Sequence, residues 1–120
     1  MSVKNYRDLD VWKIAMEFVK DIYKITGKFP KEETYGLTQQ LRRAAISVPS
    51  NIAEGSGRRS TQEFARFTNI ASGSVCEVET QILLAVDLSY ITDKECDLLI
   101  QKADRISKML YALHKSLSSK

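Results

Sequence analysis

Apolar residues recur at steps of three and four along most of this 120-residue chain, in four long segments separated by short turn-forming stretches. Steps of that size bring side chains to one face of an α-helix. Only five glycines and two prolines interrupt the pattern. We therefore expect an all-α protein with one domain over residues 1–120, in which four helices pack as an antiparallel, up-down-up-down bundle.

Local signals place the ends of these helices. Ser60 and Thr92 are each followed three residues later by a glutamate, which is the spacing of a capping box at a helix start. Gly27 and Gly57 suit positions at which a helix ends. The predicted helices cover about residues 8–26, 35–54, 60–88 and 92–117.

Two residues inside the predicted helices disfavour helical structure. Pro49 has no N–H to donate to the carbonyl of Ala45, so we expect a kink or a break there. A glycine within a helix, such as Gly73, costs about 1 kcal/mol relative to alanine. We expect the close approach of a neighbouring helix to compensate for Gly73.

The first helix carries two apolar rows. A face so wide indicates a central position in the bundle or contact with another subunit. The rows are Leu9, Trp12, Met16, Val19 and Tyr23, and Val11, Ile14, Phe18, Ile22 and Ile25.

Composition excludes several classes of protein. The first ten residues lack the apolar core of a signal peptide, and the longest apolar run, residues 82–86, is too short to cross a membrane. Cys76 and Cys96 lie on different predicted helices without metal-binding spacing. We expect a cytoplasmic protein with reduced thiols and with no metal or other cofactor.

No catalytic group is apparent in the sequence. The single histidine, His114, has no nucleophile or acid partner beside it and is expected at the surface or flank of its helix. Glu77 and Glu79 are two residues apart, so they point to different sides of a helix. We expect a protein that is not an enzyme.

Arginines are the candidate binding residues. Arg58 and Arg59 follow Gly57 and precede a predicted helix start, where backbone N–H groups favour a phosphate. Arg66 follows in the same helix, and Arg42 and Arg43 are adjacent in the second helix. The expected nucleic-acid-binding surface consists of Arg58, Arg59, Arg66 and one of Arg42 and Arg43.

Structural ion pairs are the alternative role for the same arginines. Residues 60–90 carry one basic and four acidic side chains, although the whole chain has a net charge of +3. Arg42 or Arg43 is therefore expected to pair with Glu77 or Glu79. Glu54 and Glu63 are further candidate partners for the arginines.

Three strings extend over nearly the whole chain: DLDVWKIA, then FPKEETYGLTQQLRRAAISVPSNIAEGSGR, then FARFTNIASGSVCEVETQI. Together they resemble the four-helix-bundle family of 23S rRNA intervening-sequence proteins. The resemblance implies an antiparallel bundle and assembly into a ring, as in related homopentameric bundles. Some family members are encoded inside insertions in ribosomal RNA genes. A related group resembles accessory proteins of diversity-generating retroelements, which bind nucleic acid and a reverse transcriptase through a basic surface.

These observations predict a non-enzymatic, oligomeric adaptor that binds nucleic acid, RNA rather than DNA, chiefly through phosphate contacts. A ring, with the pentamer as the arrangement that the resemblance suggests, multiplies a weak basic patch by its copy number. The alternative is a homo-oligomeric scaffold whose basic surface binds an acidic protein partner. Salt-dependent RNA binding distinguishes the two.

Overall fold

The computed structural model describes residues 5–119 and shows an all-α four-helix bundle. The helices are α1 (Asp10–Thr26), α2 (Leu37–Ser56), α3 (Thr61–Asp87) and α4 (Asp93–Ser118). Short 3₁₀ turns at Tyr6–Asp8 and Lys31–Glu33 precede α1 and α2. Every helix boundary lies within two residues of its predicted position. None of the helices described is long and apolar enough to span a bilayer.

Each helix packs against its neighbours in sequence, and α4 closes the bundle against α1. Between α2 and α3, Ser47 contacts Ser74, whereas Gly55, further along α2, lies against Phe67, which is earlier in α3. Contacts in this order are those that antiparallel neighbours make. The bundle measures 46 × 24 × 20 Å, so the helices extend along its length.

Apolar side chains from all four helices form one continuous core, with Met16 and Tyr23 of the α1 rows exposed outside it. In α4, residues at alternating steps of three and four are all buried: Leu99, Ala103, Ile106, Leu110, Leu113 and Leu117. The largest fully buried apolar side chains come from all four helices: Phe18, Ile22, Leu41, Val48, Ile52, Val75, Val78, Ile82, Ile106 and Leu110.

The seam between α1 and α4 is the least extensive of the four helix–helix contacts. Two ion pairs bridge it, Lys28 with Glu95 and Asp21 with Lys102. All four side chains are partly or largely exposed to solvent. Among the described residues, ion pairs at the surface therefore contribute more to this helix–helix contact than to the other three.

One of the two predicted capping boxes is complete. At the start of α4, the N–H of Glu95 donates to the Thr92 hydroxyl at 3.1 Å, and the N–H of Thr92 donates to the Glu95 carboxylate at 2.9 Å. At the start of α3, Ser60 accepts a hydrogen bond from the N–H of Glu63 at 3.2 Å. The carboxylate of Glu63 instead binds Arg66, so the second box is half formed.

The expectation for Gly73 needs correction, and that for Pro49 is narrowed. Helix α2 continues through Pro49 to Ser56, so of the predicted kink or break, the break is absent. A side-chain carbon added at Gly73 would meet no atom within 4 Å, so the predicted close approach is wrong. Gly73 lies on the exposed side of α3, and nothing in the described chain offsets its cost there.

Candidate nucleic-acid interface

The turn between α2 and α3 brings two of the candidate arginines onto one aromatic ring. The guanidinium carbon of Arg58 lies 5.0 Å from the centre of the Phe67 ring, and that of Arg66 lies 4.7 Å from it. Phe67 itself is only 5% exposed. A buried ring holds its position, so it orients both cations by cation–π attraction.

A close approach of the two helices positions this ring. A Cβ atom added at Gly55 would lie 2.6 Å from the Cβ of Phe67 and 3.0 Å from the ring of Phe64. Only a glycine lets α2 end so close to the first turns of α3. Because of this close approach, Arg58, three residues further on, lies over the ring of Phe67.

The three arginines at this turn are not equally free to bind an anionic ligand. Arg66 is tied to Glu63 by Nε–Oε2 and Nη2–Oε1 contacts of 3.0 and 3.2 Å. That hydrogen bond and charge lower the pKa of Glu63 and raise the pKa of Arg66. Arg58 and Arg59 are exposed and form no ion pair within residues 5–119. The turn therefore presents two arginines outside any ion pair, and Arg58 lies near enough to Glu63 for its charge to help lower the pKa of that carboxyl.

The same two arginines border the N-terminus of α3. A shallow groove of about 180 Å³ lies between them and the end of α4. Free N–H groups at a helix N-terminus and nearby guanidinium groups both favour an anion. The groove is lined by Ser56, Arg58, Arg59, Ser60, Thr61, Phe64 and Leu117.

Arg42 lies far from this turn and has a structural role. Its Nε donates to the Thr26 hydroxyl at 2.8 Å, and its Nη2 donates to the carbonyl of Tyr23 at 3.2 Å. Thr26 and Tyr23 form the last turn of α1, where a cation complements the helix dipole. Arg42 lies 14 residues before the end of α2 at Ser56, so about 21 Å of helix separates it from the turn that carries Arg58.

The predicted ion pairs between α2 and α3 are absent among the residues that the structure describes. Neither Arg42 nor Arg43 lies within ion-pair distance of Glu77 or Glu79. Glu79 instead faces Asp104 of α4: burial, and then the hydrogen bond and charge of Asp104, raise its pKa.

Arg43 is exposed on the outer side of α2. Towards α3, that helix presents Ser47, whose hydroxyl lies 2.7 Å from that of Ser74. The five predicted arginines thus do not form one surface. Arg58, Arg59 and Arg66 meet at the turn, whereas Arg42 and Arg43 belong to the other half of α2.

Sequence reasoning misses the part played by Phe67 and understates that of His114. Phe67 falls at a core position in the apolar pattern of α3, and its place directly after Arg66 is the signal that could have drawn attention to the ring. His114 is half-buried, with Nδ1 3.1 Å from both the Ala65 carbonyl and the Thr68 hydroxyl. It links α4 to α3 close to the turn.

Between residues 5 and 119, no three His, Cys, Asp or Glu side chains group to hold a metal ion.

Comparisons with known proteins agree with this architecture. Residues 7–112 match the family model described as 23S rRNA-intervening sequence protein. A similar solved structure is that of a protein with unknown function from the S23 ribosomal protein family of Bacteroides thetaiotaomicron. Its sequence is 25% identical, the alignment covers 88% of this chain and 98% of that one, and the TM-score is 0.79. No curated protein matches the sequence.

Proposed function

This chain belongs to the 23S rRNA-intervening sequence protein family, and we propose that it is a non-enzymatic, oligomeric adaptor that binds RNA through the turn between α2 and α3. The observation that carries the proposal is the convergence of Arg58 and Arg66 on the buried ring of Phe67. Ordinary surface arginines are free to move, whereas this arrangement holds a guanidinium group in place before a ligand arrives.

Phosphate is the ligand group that this turn fits best. Arg58 and Arg59 form no ion pair among the described residues, and the N–H groups of the first turn of α3 lie beside them. Guanidinium groups bind phosphate oxygens in pairs, with little dependence on base sequence. We therefore expect binding that falls steeply with salt and varies little between RNA sequences.

Oligomer formation is the second part of the proposal. The outer apolar row of α1 and the facing side of α2 line a groove of about 310 Å³ that includes Trp12, Met16, Ile46 and Pro49. Met16 and Ile46 are exposed although apolar. Packing of copies along this groove would cover them, and a ring of copies, with the pentamer as the first arrangement to test, would repeat the turn. Light scattering should then give several times the 13.6 kDa of one chain.

The test is a titration of fluorescently labelled single-stranded RNA at several salt concentrations. The double variant Arg58→Ala/Arg59→Ala should weaken binding and should lower the salt slope by about one for each phosphate that the turn no longer neutralises. Its free energy of unfolding should change by no more than about 0.5 kcal/mol, as is usual for surface residues. The matched control is Arg105→Ala/Lys108→Ala, which removes two cations from α4, away from the turn.

Equal binding by the two double variants would remove the turn from the interface. DNA of the same sequence, titrated in parallel, tests the preference for RNA. If the wild-type protein binds no RNA at any salt concentration, the scaffold function with an acidic protein partner replaces this proposal.

A further inference from the structure

Helix α3 has an apolar face that the bundle does not use. Its inner face is buried, as in the other helices, but Leu83, Leu84 and Leu88 are 51%, 47% and 45% exposed. They lie at the C-terminal end of the helix, outside the buried row that contains Val78 and Ala85, and Leu88 directly follows the last helical residue, Asp87. We call these three residues the leucine ridge. A surface helix normally needs only one apolar face.

Acidic side chains surround the leucine ridge. From residue 67 to residue 93 the sequence contains no Lys, Arg or His. Glu77 and Asp87 are exposed on the same side of α3 as the ridge. Neither forms an ion pair within the part of the chain that the structure describes.

Helix α4 adds further negative charge next to the ridge. Asp87, Asp93 and Asp97 gather around Cys96, where after burial their charges help to raise the pKa of that thiol. Asp104 faces Glu79 of α3. Over the same stretch of α4, up to residue 104, the basic residues are Lys94 and Lys102, and Lys102 is paired with Asp21. An apolar surface with this charge complements a partner that is apolar and basic.

The ring proposed above joins copies along the α1–α2 groove, and a second copy bound about a two-fold axis is a poor occupant of the ridge. In such a two-fold contact each ridge would pack against its own equivalent. Glu77 and Asp87 of one copy would then lie near the same two residues of the other, and like charges placed together oppose association. The basic turn and the acidic ridge also lie at different ends of α3, so the two surfaces can act independently.

We propose that the leucine ridge is a docking site for a basic amphipathic helix of another protein. Leucine-sized side chains of that helix pack between Leu83, Leu84 and Leu88, and its lysines or arginines lie over Glu77 and Asp87. Binding of this kind uses apolar anchors at steps of three and four residues on the docked helix. The chain then holds RNA at one end of α3 and a basic protein at the other.

The test uses the full chain and two short synthetic helical peptides that share one leucine face. Lysines flank the leucines in the first peptide, and glutamates flank them in the second. The lysine peptide should bind the wild-type protein, and the substitution Leu84→Ser should weaken its binding by about tenfold or more. Leu98→Ser is the matched control, because Leu98 is an exposed leucine in a groove whose Lys28 and Lys102 are paired with carboxylates, so it lacks the unpaired acidic surroundings of the ridge.

Three results would overturn the docking site. They are equal binding of the two peptides, equal effects of Leu84→Ser and Leu98→Ser, and a lower oligomer mass in Leu84→Ser, since that would assign the ridge to contacts between copies. Circular dichroism checks that each variant folds. RNA affinity should be the same in wild type and Leu84→Ser, so failure of this site and failure of the RNA interface are separate results.

Discussion

The guanidinium carbon of Arg42 lies 4.4 Å from the centre of the Tyr23 ring. The same group donates hydrogen bonds to the carbonyl of Tyr23 and to the Thr26 hydroxyl. Thr26 in turn donates to the carbonyl of Ile22 at 2.7 Å, so one side chain of α2 organises the whole last turn of α1. A residue that the sequence offers as a phosphate contact thus joins two helices.

The first prediction compares the two adjacent arginines of α2. Arg42→Ala should lower the free energy of unfolding by about 1.5–3 kcal/mol, which is typical for the loss of hydrogen bonds from a charged donor. Arg43→Ala, at an exposed position without such bonds, should change it by no more than about 0.5 kcal/mol. Urea denaturation of both variants measures the difference. Similar values for the two would show that the contacts of Arg42 are energetically unimportant.

The second prediction concerns two glycines that differ in their surroundings. Gly55→Ala should destabilise the protein by about 1–3 kcal/mol, because its Cβ would overlap with Phe67. Gly73→Ala should stabilise it by about 0.5–1 kcal/mol, because the site is open and the helix gains a better residue.

Thermal melts of the two variants test whether Gly55→Ala lowers the melting temperature and Gly73→Ala raises it. A destabilised Gly73→Ala protein, especially one with a lower oligomer mass, would place Gly73 in a contact between copies. A stable Gly55→Ala protein would mean that α2 and α3 separate at little cost.

The third prediction concerns the carboxyl groups of Glu79 and Asp104. Burial and Asp104 raise the pKa of Glu79 in the folded state. A carboxyl group with a raised pKa binds its proton more tightly when folded, so its contribution to stability grows as the pH falls and is lost as the pH rises through the folded pKa. Glu79→Gln should therefore raise the melting temperature at pH 7 and have a smaller effect near pH 4. Glu77→Gln is the control, and equal effects of the two changes at both pH values would contradict the prediction.

The fourth prediction concerns Glu33, whose pKa is shifted in the opposite direction to that of Glu79. Its carboxylate accepts the N–H of Leu37 at 3.0 Å and the hydroxyl of Tyr90 at 2.8 Å, and these bonds lower its pKa. Stability from a lowered carboxyl pKa is present above the unfolded value and is lost as the pH falls through the folded one. Glu33→Gln should therefore destabilise the protein at neutral pH, and the effect should shrink as the pH falls below the ordinary range of a glutamate pKa. Glu32→Gln, on the same turn, is the matched control.

Features that depend on residues close together in the chain could be predicted from the sequence, whereas contacts between different helices could not. The burial of Leu99, Ile106 and Leu110 follows from spacing within one helix, and so does the cap at Thr92. The partner of Arg42 does not, because neighbouring positions on a helix differ by about 100° in direction. That rotation, fixed by the packing of the whole bundle, turns Arg42 towards α1 and away from Glu77.

The candidate site, too, could be predicted from the sequence only where its features are local. The exposure of Arg58 and Arg59 could be predicted, since both follow Gly57 in a short turn. Their relation to Phe67 could not, because it depends on how closely Gly55 lets α2 approach α3. The cost of Gly73 is visible in the sequence as well, but whether a neighbour offsets it is a question of tertiary structure.

The exposed ion pairs across the α1–α4 seam make it the helix–helix contact at which the bundle should open first. Exposed ion pairs contribute little and weaken in salt, so opening should begin where Lys28 and Asp21 face α4, while Arg42 still holds α1 to α2. The Arg58 turn and the leucine ridge lie on helices that stay packed when this seam opens, whereas α1 lines the groove proposed for oligomer formation. High salt should therefore loosen the oligomer groove before it alters either of the other two surfaces.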